Sequence, residues 1–296
     1  MQKTIAIEEG SDYYDGERGR IHYRFWKAEE PSWVVLLAHG FGDHTGRWER
    51  YGRTLAEAGG AVLASDHRGH GLSDGARAVV EDFEALGADF LRLYEMPEFP
   101  TGLPVALAGH SMGGLIVTTA AVFADPPLDA LIVSGARVGG WERAETLLQR
   151  IDSGEVDPAE GAGHPLLDPN APLRLDALSR DPEVAKMFIE DDLAHKGPYP
   201  VETLRAFVGI TQKLKTVDNA ISVPLLYMHG GADPITPYRP SIDRMLQLAD
   251  GEMEIRIFEG ARHSIYNEIN RDEVYGVLLA FLERIAARRA QAGEAG

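Results

Sequence analysis

Short apolar runs punctuate the chain at residues 33–38 (WVVLLA), 61–64 (AVLA), 104–108 (PVALA), 131–133 (LIV), 224–228 (PLLYM) and 255–258 (IRIF). Most are continuous rather than alternating, the pattern of strands buried on both faces of a parallel sheet. Helical spacing fills the gaps between them. Trp48, Tyr51, Leu55 and Ala58 share one face, as do Phe83, Leu86, Phe90 and Leu93. Near the end, Val274, Val277, Leu278, Phe281, Leu282 and Ile285 keep the same period, with Asn270 and Glu273 spaced as a capping pair ahead of them. Strands alternating with helices predict a mostly parallel α/β sheet. Two alternating stretches, 4–8 and 20–26, predict an antiparallel hairpin at one sheet edge, and a frayed tail is expected at 291–296.

The alternation breaks between about Gly139 and Ile221. This stretch is charged and proline-rich, with helical fragments at 141–151, 182–188 and 201–214. It is too long for a plain loop and predicts a helical insertion, 139–221, within a core made of 1–138 and 222–296. Residues 101–124 carry no Asp, Glu, Lys or Arg, but Pro104, Gly109, His110, Gly113 and Gly114 interrupt them. Strand, sharp turn and helix fit this stretch better than a membrane span.

Composition narrows the function. The 296 residues are 44% hydrophobic, enough for a full core, and the net charge is −17. That charge argues against a nucleic-acid partner and against docking on anionic lipid. It leaves open transient contact of an apolar patch with a membrane or micelle. There is no cysteine, so thiolate chemistry is excluded. The N-terminal segment lacks a signal-peptide layout, and cytoplasm is the expected location.

Candidate chemistry centres on residues 109–114, GHSMGG. The apolar run before it supplies a strand, and the run after it supplies a helix. This is the context of a nucleophile elbow, with Ser111 exposed at the turn. A serine needs a base. In the order serine, acid, histidine, the histidines after Ser111 are His164, His195, His229 and His263. His164 and His195 fall in the insertion, and His229, followed by two glycines, reads as turn support. His263 follows the last strand and is the expected base. Asp233, in the loop after the run 224–228, is the expected acid over Asp250, which ends a helical pattern. Oxyanion donors are expected from the N–H of Met112 and from Phe41, in the glycine-rich loop His39-Gly40-Phe41-Gly42 after an early strand. His67, Arg68 and His70 read as a structural polar turn. No ligand spacing supports a metal at Asp43, His44 or Asp66, and the chemistry needs no cofactor.

HGFGDHTGRW at 39–48, SDHRGHGLSDG at 65–75, GHSMGG at 109–114, LSRDPEV at 178–184, HGGADPITP at 229–237 and HSIYNE at 263–268 together resemble the monoglyceride lipase and lysophospholipase-like α/β-hydrolases. The resemblance spans most of the chain. It implies an α/β-hydrolase fold with a helical cap at 139–221, a triad of Ser111, Asp233 and His263, and an oxyanion hole at Phe41 and Met112. It implies that Asp43 and Arg47 form a charged pair ordering the oxyanion loop and the polar end of the pocket. His110 stands open between lining that pocket and packing. The implied activity is serine ester hydrolysis of monoacylglycerols, a small lipid ester substrate. The alternatives are a carboxylesterase or lysophospholipase for other monoesters and, from another class, a ligand receptor on a hydrolase scaffold. Phe41 is larger than the residue of some members, Asp43 is shorter than the usual glutamate, and Asp192 and Tyr266 also depart from the pattern. These departures bear on substrate preference.

Overall fold

The computed structural model describes residues 6–158 and 175–294. Eight strands form one sheet: β1 (Ile7–Gly16), β2 (Gly19–Ala28), β3 (Val34–Ala38), β4 (Ala61–Ser65), β5 (Val105–His110), β6 (Ala130–Ser134), β7 (Leu225–Gly230) and β8 (Met253–Phe258). Their spatial order is β1-β2-β4-β3-β5-β6-β7-β8. The β1–β2 and β2–β4 pairs are antiparallel and all others are parallel. Strands β3 to β7 are buried along their whole length, which is why they read as unbroken apolar runs.

Helices α1 (Glu49–Glu57) and α8 (Arg271–Glu294) pack on one face, where Tyr51, Leu55, Val274, Leu278 and Phe281 meet the outward side chains of β3 and β4. Helices α2 (Phe83–Leu91), α3 (Met112–Phe123) and α7 (Tyr238–Leu248) pack on the other. Asp82 caps α2 by accepting from the N–H groups of Glu84 and Ala85. The charge-free stretch is β5, a turn and α3, as its glycines require. Among the described residues no helix is long and apolar enough to cross a membrane.

Between β6 and β7 the chain forms α4 (Glu142–Asp152), α5 (Pro182–Glu190) and α6 (Val201–Leu214), close to the expected fragments. Asp181 caps α5 and Pro182 follows at the first helical position, where a missing N–H costs nothing. His164 lies outside the described residues.

Three expectations shift. The first hairpin arm runs on to Gly16, well past the expected end at residue 8, and residues 4–5 of the expected arm lie outside the described residues. It is a largely exposed edge strand, so its charges mask any apolar alternation. Helix α8 continues to Glu294, through the stretch expected to fray, because its Ala, Arg, Gln and Glu residues favour helix. Residues 295–296 lie outside the described range. Asn270 meets Glu273 through its side-chain amide, which donates to Oε2 at 3.1 Å, rather than through a capping exchange with backbone.

One buried carboxylate ties the segment before α5 to the loop after β8. Glu268 is fully buried. It accepts from Arg180 N at 3.1 Å, Arg180 Nε at 2.9 Å, Arg262 N at 2.9 Å and Ile269 N at 2.9 Å. Burial alone would raise its pKa, but these donors hold it below the usual carboxylate range. Around it, His263 N donates to Ala177 O and Ser264 N to Leu178 O. Glu268→Ala would strand the Arg180 side chain and three backbone donors, and is expected to cost about 3–5 kcal/mol of unfolding free energy. Urea denaturation checks this, and a midpoint equal to wild type would exclude the stitch.

Candidate active site

The turn between β5 and α3 leaves no room for side chains at its flanks. A Cβ on Gly109 would sit 2.2 Å from Gly113 O, and one on Gly113 would sit 2.0 Å from Ala38 O. Ser111 is held at φ +55°, ψ −118°, a conformation that costs a non-glycine residue about 1–3 kcal/mol and is retained where function requires it. Its N–H donates to Ser134 O at 2.8 Å, fixing the turn to β6. The loop after β3 approaches from the other side. A Cβ on Gly40 would lie 3.2 Å from Ser111 Cβ, so Phe41 is the next residue along the wall facing the serine. Met112 is the first residue of α3, and its N–H has no intrahelical acceptor.

Strands β7 and β8 deliver the acid and the imidazole side by side. Asp233 Oδ2 lies 2.7 Å from His263 Nδ1. The Asp233 side chain is wholly buried, while Asp250 is exposed. Asp233 Oδ1 accepts from Ile235 N at 2.8 Å and Thr236 N at 3.1 Å. The Thr236 hydroxyl lies 2.8 Å from Oδ2. Burial pushes the Asp233 pKa up, but the charges and hydrogen bonds of His263 and His229 outweigh it and hold the group ionised. With Nδ1–H directed at the carboxylate, His263 keeps Nε2 open as an acceptor.

His229 contributes more than turn support. It is fully buried, and its Nε2 lies 3.1 Å from Asp233 Oδ2 and 2.8 Å from Thr236 O. Its Nδ1 lies 2.7 Å from the Tyr227 hydroxyl. Nε2 faces two acceptors, Thr236 O and Asp233 Oδ2, which places an N–H there and lets Nδ1 accept from the Tyr227 hydroxyl. Asp233 is thus shared by two imidazoles. The period-2 spacing of Tyr227 and His229 on one strand face was the available sequence signal.

The Asp43–Arg47 pair is formed, with Arg47 Nε 2.9 Å from Asp43 Oδ1, and Trp48 Nε1 donates to Asp43 Oδ2 at 2.9 Å. Asp191, which follows α5, joins it: Oδ2 lies 2.8 Å from His44 Nε2 and 3.8 Å from Arg47 Nη1. The expected departure was at Asp192, but its neighbour makes these contacts. His195 donates its N–H to Gly42 O at 2.8 Å. His110 both packs and lines a pocket. Its ring lies 4.9 Å from that of His263 and its Nδ1 is 3.1 Å from Ser134 Oγ, while Nε2 is buried without a partner. With Asp43, Arg47, Trp48, Ser264 and Tyr266 it bounds a cavity of about 20 Å³, space for about one water. A second cavity, of about 90 Å³, is lined by Ser111, Met112, Leu115, Thr236 and Ile235 from the core and by Arg137, Trp141, Tyr199 and Phe207 from the segment after β6.

The DHRGHG stretch is a buried polar turn. His39 Nδ1–H donates to Gly40 O at 2.8 Å, His67 N donates to His39 Nε2 at 3.1 Å, and His67 Nε2–H donates to His39 O at 3.1 Å. Asp66 accepts from Thr45 N at 2.6 Å and Leu72 N at 2.9 Å. Among the described residues no group of three or more His, Asp or Glu side chains is arranged to hold a metal.

A strained serine after β5, an acid after β7 and a histidine after β8, on a mostly parallel sheet, define an α/β-hydrolase. The chain belongs to the family described as serine aminopeptidase, S33, whose model matches residues 29–270. It is 33% identical over 254 residues to the monoacylglycerol lipase of Mycolicibacterium smegmatis, covering 84% of this chain and 88% of that one. It is 29% identical to the Homo sapiens monoglyceride lipase, covering 83% and 80%. The fold is similar to a soluble variant of the Saccharomyces cerevisiae monoglyceride lipase solved with a substrate analog, with a TM-score of 0.77, 23% identity, and coverage of 96% and 97%.

The buried histidines at the loop after β3 make the fold acid-sensitive. Burial holds His39 and His67 neutral well below the ordinary histidine range and lowers His70 to about 4. In the unfolded chain they protonate below about pH 6.5. The unfolded state then binds more protons, so stability falls as pH drops from about 6.5 toward 4. Thermal midpoints measured from about pH 7.5 down to 5 are expected to decline, less steeply in His67→Gln. A flat profile would contradict the neutral histidines.

Proposed function

We propose that this chain is a serine ester hydrolase that cleaves monoacylglycerols to fatty acid and glycerol through an acyl-enzyme. Two observations support the reading: the strained turn at Ser111 and the Asp233–His263 pair at 2.7 Å. Ser111 Oγ attacks the acyl carbonyl as His263 Nε2 takes its proton. The N–H groups of Phe41 and Met112 receive the oxyanion, each worth roughly 3–4 kcal/mol in the transition state. His263 then protonates the leaving glycerol. Water, activated by the same nitrogen, attacks the acyl-enzyme and releases the fatty acid. Asp233 stays ionised, holds the tautomer and stabilises the imidazolium.

Residues 139–221 act as a cap that bounds the acyl side with Trp141, Tyr199 and Phe207. The Asp43–Arg47 pair and His110 bound the polar side. Met187 and Ile189 of α5, 60% and 48% exposed, give the cap an apolar edge for brief contact with a lipid aggregate. The monoacylglycerol assignment rests on the relatives named above, one of them 33% identical over most of both chains.

Ser111→Ala should lower kcat by roughly 10⁴-fold or more with the fold intact. A fluorophosphonate probe should label the wild type and not the variant. Wild-type kcat/KM should be higher for monoacylglycerols than for di- and triacylglycerols or lysophosphatidylcholine. Full activity in Ser111→Ala would remove the nucleophile, and selectivity for lysophosphatidylcholine would overturn the substrate.

A further inference from the structure

The histidine of the acid–imidazole pair does not stand on the sheet alone. Strand β8 ends at Phe258, and the loop beyond it stays tied to the core as far as Ala261, whose carbonyl accepts from Ala232 N at 2.9 Å. A Cβ on Gly230 would lie 2.2 Å from Arg262 O, so the loop is pressed against the end of β7 up to that point. From there the backbone donors turn to the insertion. His263 N donates to Ala177 O at 3.2 Å and Ser264 N to Leu178 O at 2.7 Å. His263 is buried, so its N–H needs an acceptor inside the protein, and the insertion supplies it.

Side chains lock the same contact from both sides. Arg262, next to His263, donates from its guanidinium to Asp176 O and Ser179 O. Arg180 reaches back, with Nε donating to Glu268 Oε2 at 2.9 Å and Nη2 to Asn270 Oδ1 at 2.6 Å. Ser179 Oγ donates to Asn267 O at 3.1 Å. Glu268 Oε1 takes Arg262 N and Arg180 N together, at 2.9 and 3.1 Å, so one carboxylate oxygen joins the residue before His263 to the insertion. Asp233 is held differently. Its N–H donates to Gly230 O, and its carboxylate accepts from the Ile235 and Thr236 N–H groups, all within the end of β7 and the loop after it. The two halves of the 2.7 Å pair are therefore anchored differently, the acid on the core and the imidazole also on residues 176–181 of the insertion.

We propose that Arg180 is a positioning residue for ester hydrolysis: through Glu268 it fixes residues 176–181 against the His263 loop, so that the insertion helps set where the base stands. A general base works only within hydrogen-bond reach of the proton it takes, and a misplacement of about 1 Å costs about 10²-fold in rate. This rests on His263 as the base in the reading above. It goes beyond that reading by giving the insertion a part in proton transfer as well as in enclosing the acyl chain.

The test pairs Arg180→Met, which keeps the aliphatic stem and removes the side-chain donors, with Arg180→Lys, which keeps the charge beside Glu268. Both are assayed on oleoylglycerol and with a fluorophosphonate probe, well below the thermal midpoint of each. Arg180→Met should lower kcat by about tenfold or more with KM within about twofold, and should slow probe labelling by a similar factor while still labelling to full stoichiometry. Arg180→Lys should recover part of the rate. Full but slow labelling separates a misplaced base from an unfolded fraction, which would lower the stoichiometry and leave the rate constant of the rest unchanged. That second pattern, or rates within about twofold of wild type in Arg180→Met, would overturn the proposal. Should Arg180→Met not fold, Arg262→Met cuts the same contact from the other side and is held to the same outcomes. A wild type that neither turns over the ester nor takes the probe would defeat the hydrolase reading instead. The downfield NMR resonance of the His263 Nδ1 proton then decides the positioning: a shift or loss in the folded variant supports it, and an unchanged resonance refutes it.

Discussion

The close approach of β5, α3 and the end of β3 is the constraint on which the rest depends. Gly109 and Gly113 have no space for a Cβ because backbone carbonyls stand about a bond length and a half away. The turn between them forces Ser111 into a left-handed conformation that packing alone would not favour. In return, a hydroxyl stands at the carboxyl edge of the sheet, at the start of a helix, with a glycine loop against it. Relaxing the turn at either glycine would move the serine and the wall it faces together.

The second requirement is a carboxylate that stays charged without water. Asp233 meets it by accumulation: two backbone N–H groups on Oδ1, then two imidazoles and a hydroxyl around Oδ2. The two imidazoles outweigh the penalty of burial, and the remaining donors fix the carboxylate in place. Because β7 and β8 are adjacent and parallel, their carboxyl ends open on the same side, and short loops suffice to bring acid and histidine into contact. Tyr227 extends this cluster through its hydroxyl, 2.7 Å from His229 Nδ1.

Much of the fold was legible because parallel strands bury both faces and so write themselves as apolar runs. The edge strand β1 was misplaced for the converse reason: its exposed faces carry no such pattern. The strained turn at Ser111 and the Asp233–His263 contact could be anticipated from order and context, since the geometry of the turn leaves a glycine signature and the other two residues follow particular strands. What escaped were contacts between segments distant in sequence. Asp191 meets His44 across 147 positions, and Arg180 meets Glu268 across 88. LSRDPEV and HSIYNE were recognised separately, yet they are two sides of one junction around Glu268. Arg137 gave no signal, because an arginine in SGARVGG looks like a solvated loop residue until its neighbours are known.

The segment between β6 and β7 does two things with one set of contacts. Trp141, Tyr199 and Phe207 form the wall of the cavity beside Ser111. The same segment holds the loop after β3: His195 N–H binds Gly42 O, Asp191 binds His44, and the Tyr199 ring lies 4.4 Å from that of Phe41. Phe41 therefore touches the segment with its side chain, one residue after Gly40, which lies against Ser111. A change that reshapes the cavity through Tyr199 also bears on the backbone of Phe41. The shape of this cavity and the geometry of the loop after β3 are mechanically coupled, so neither can be adjusted independently of the other.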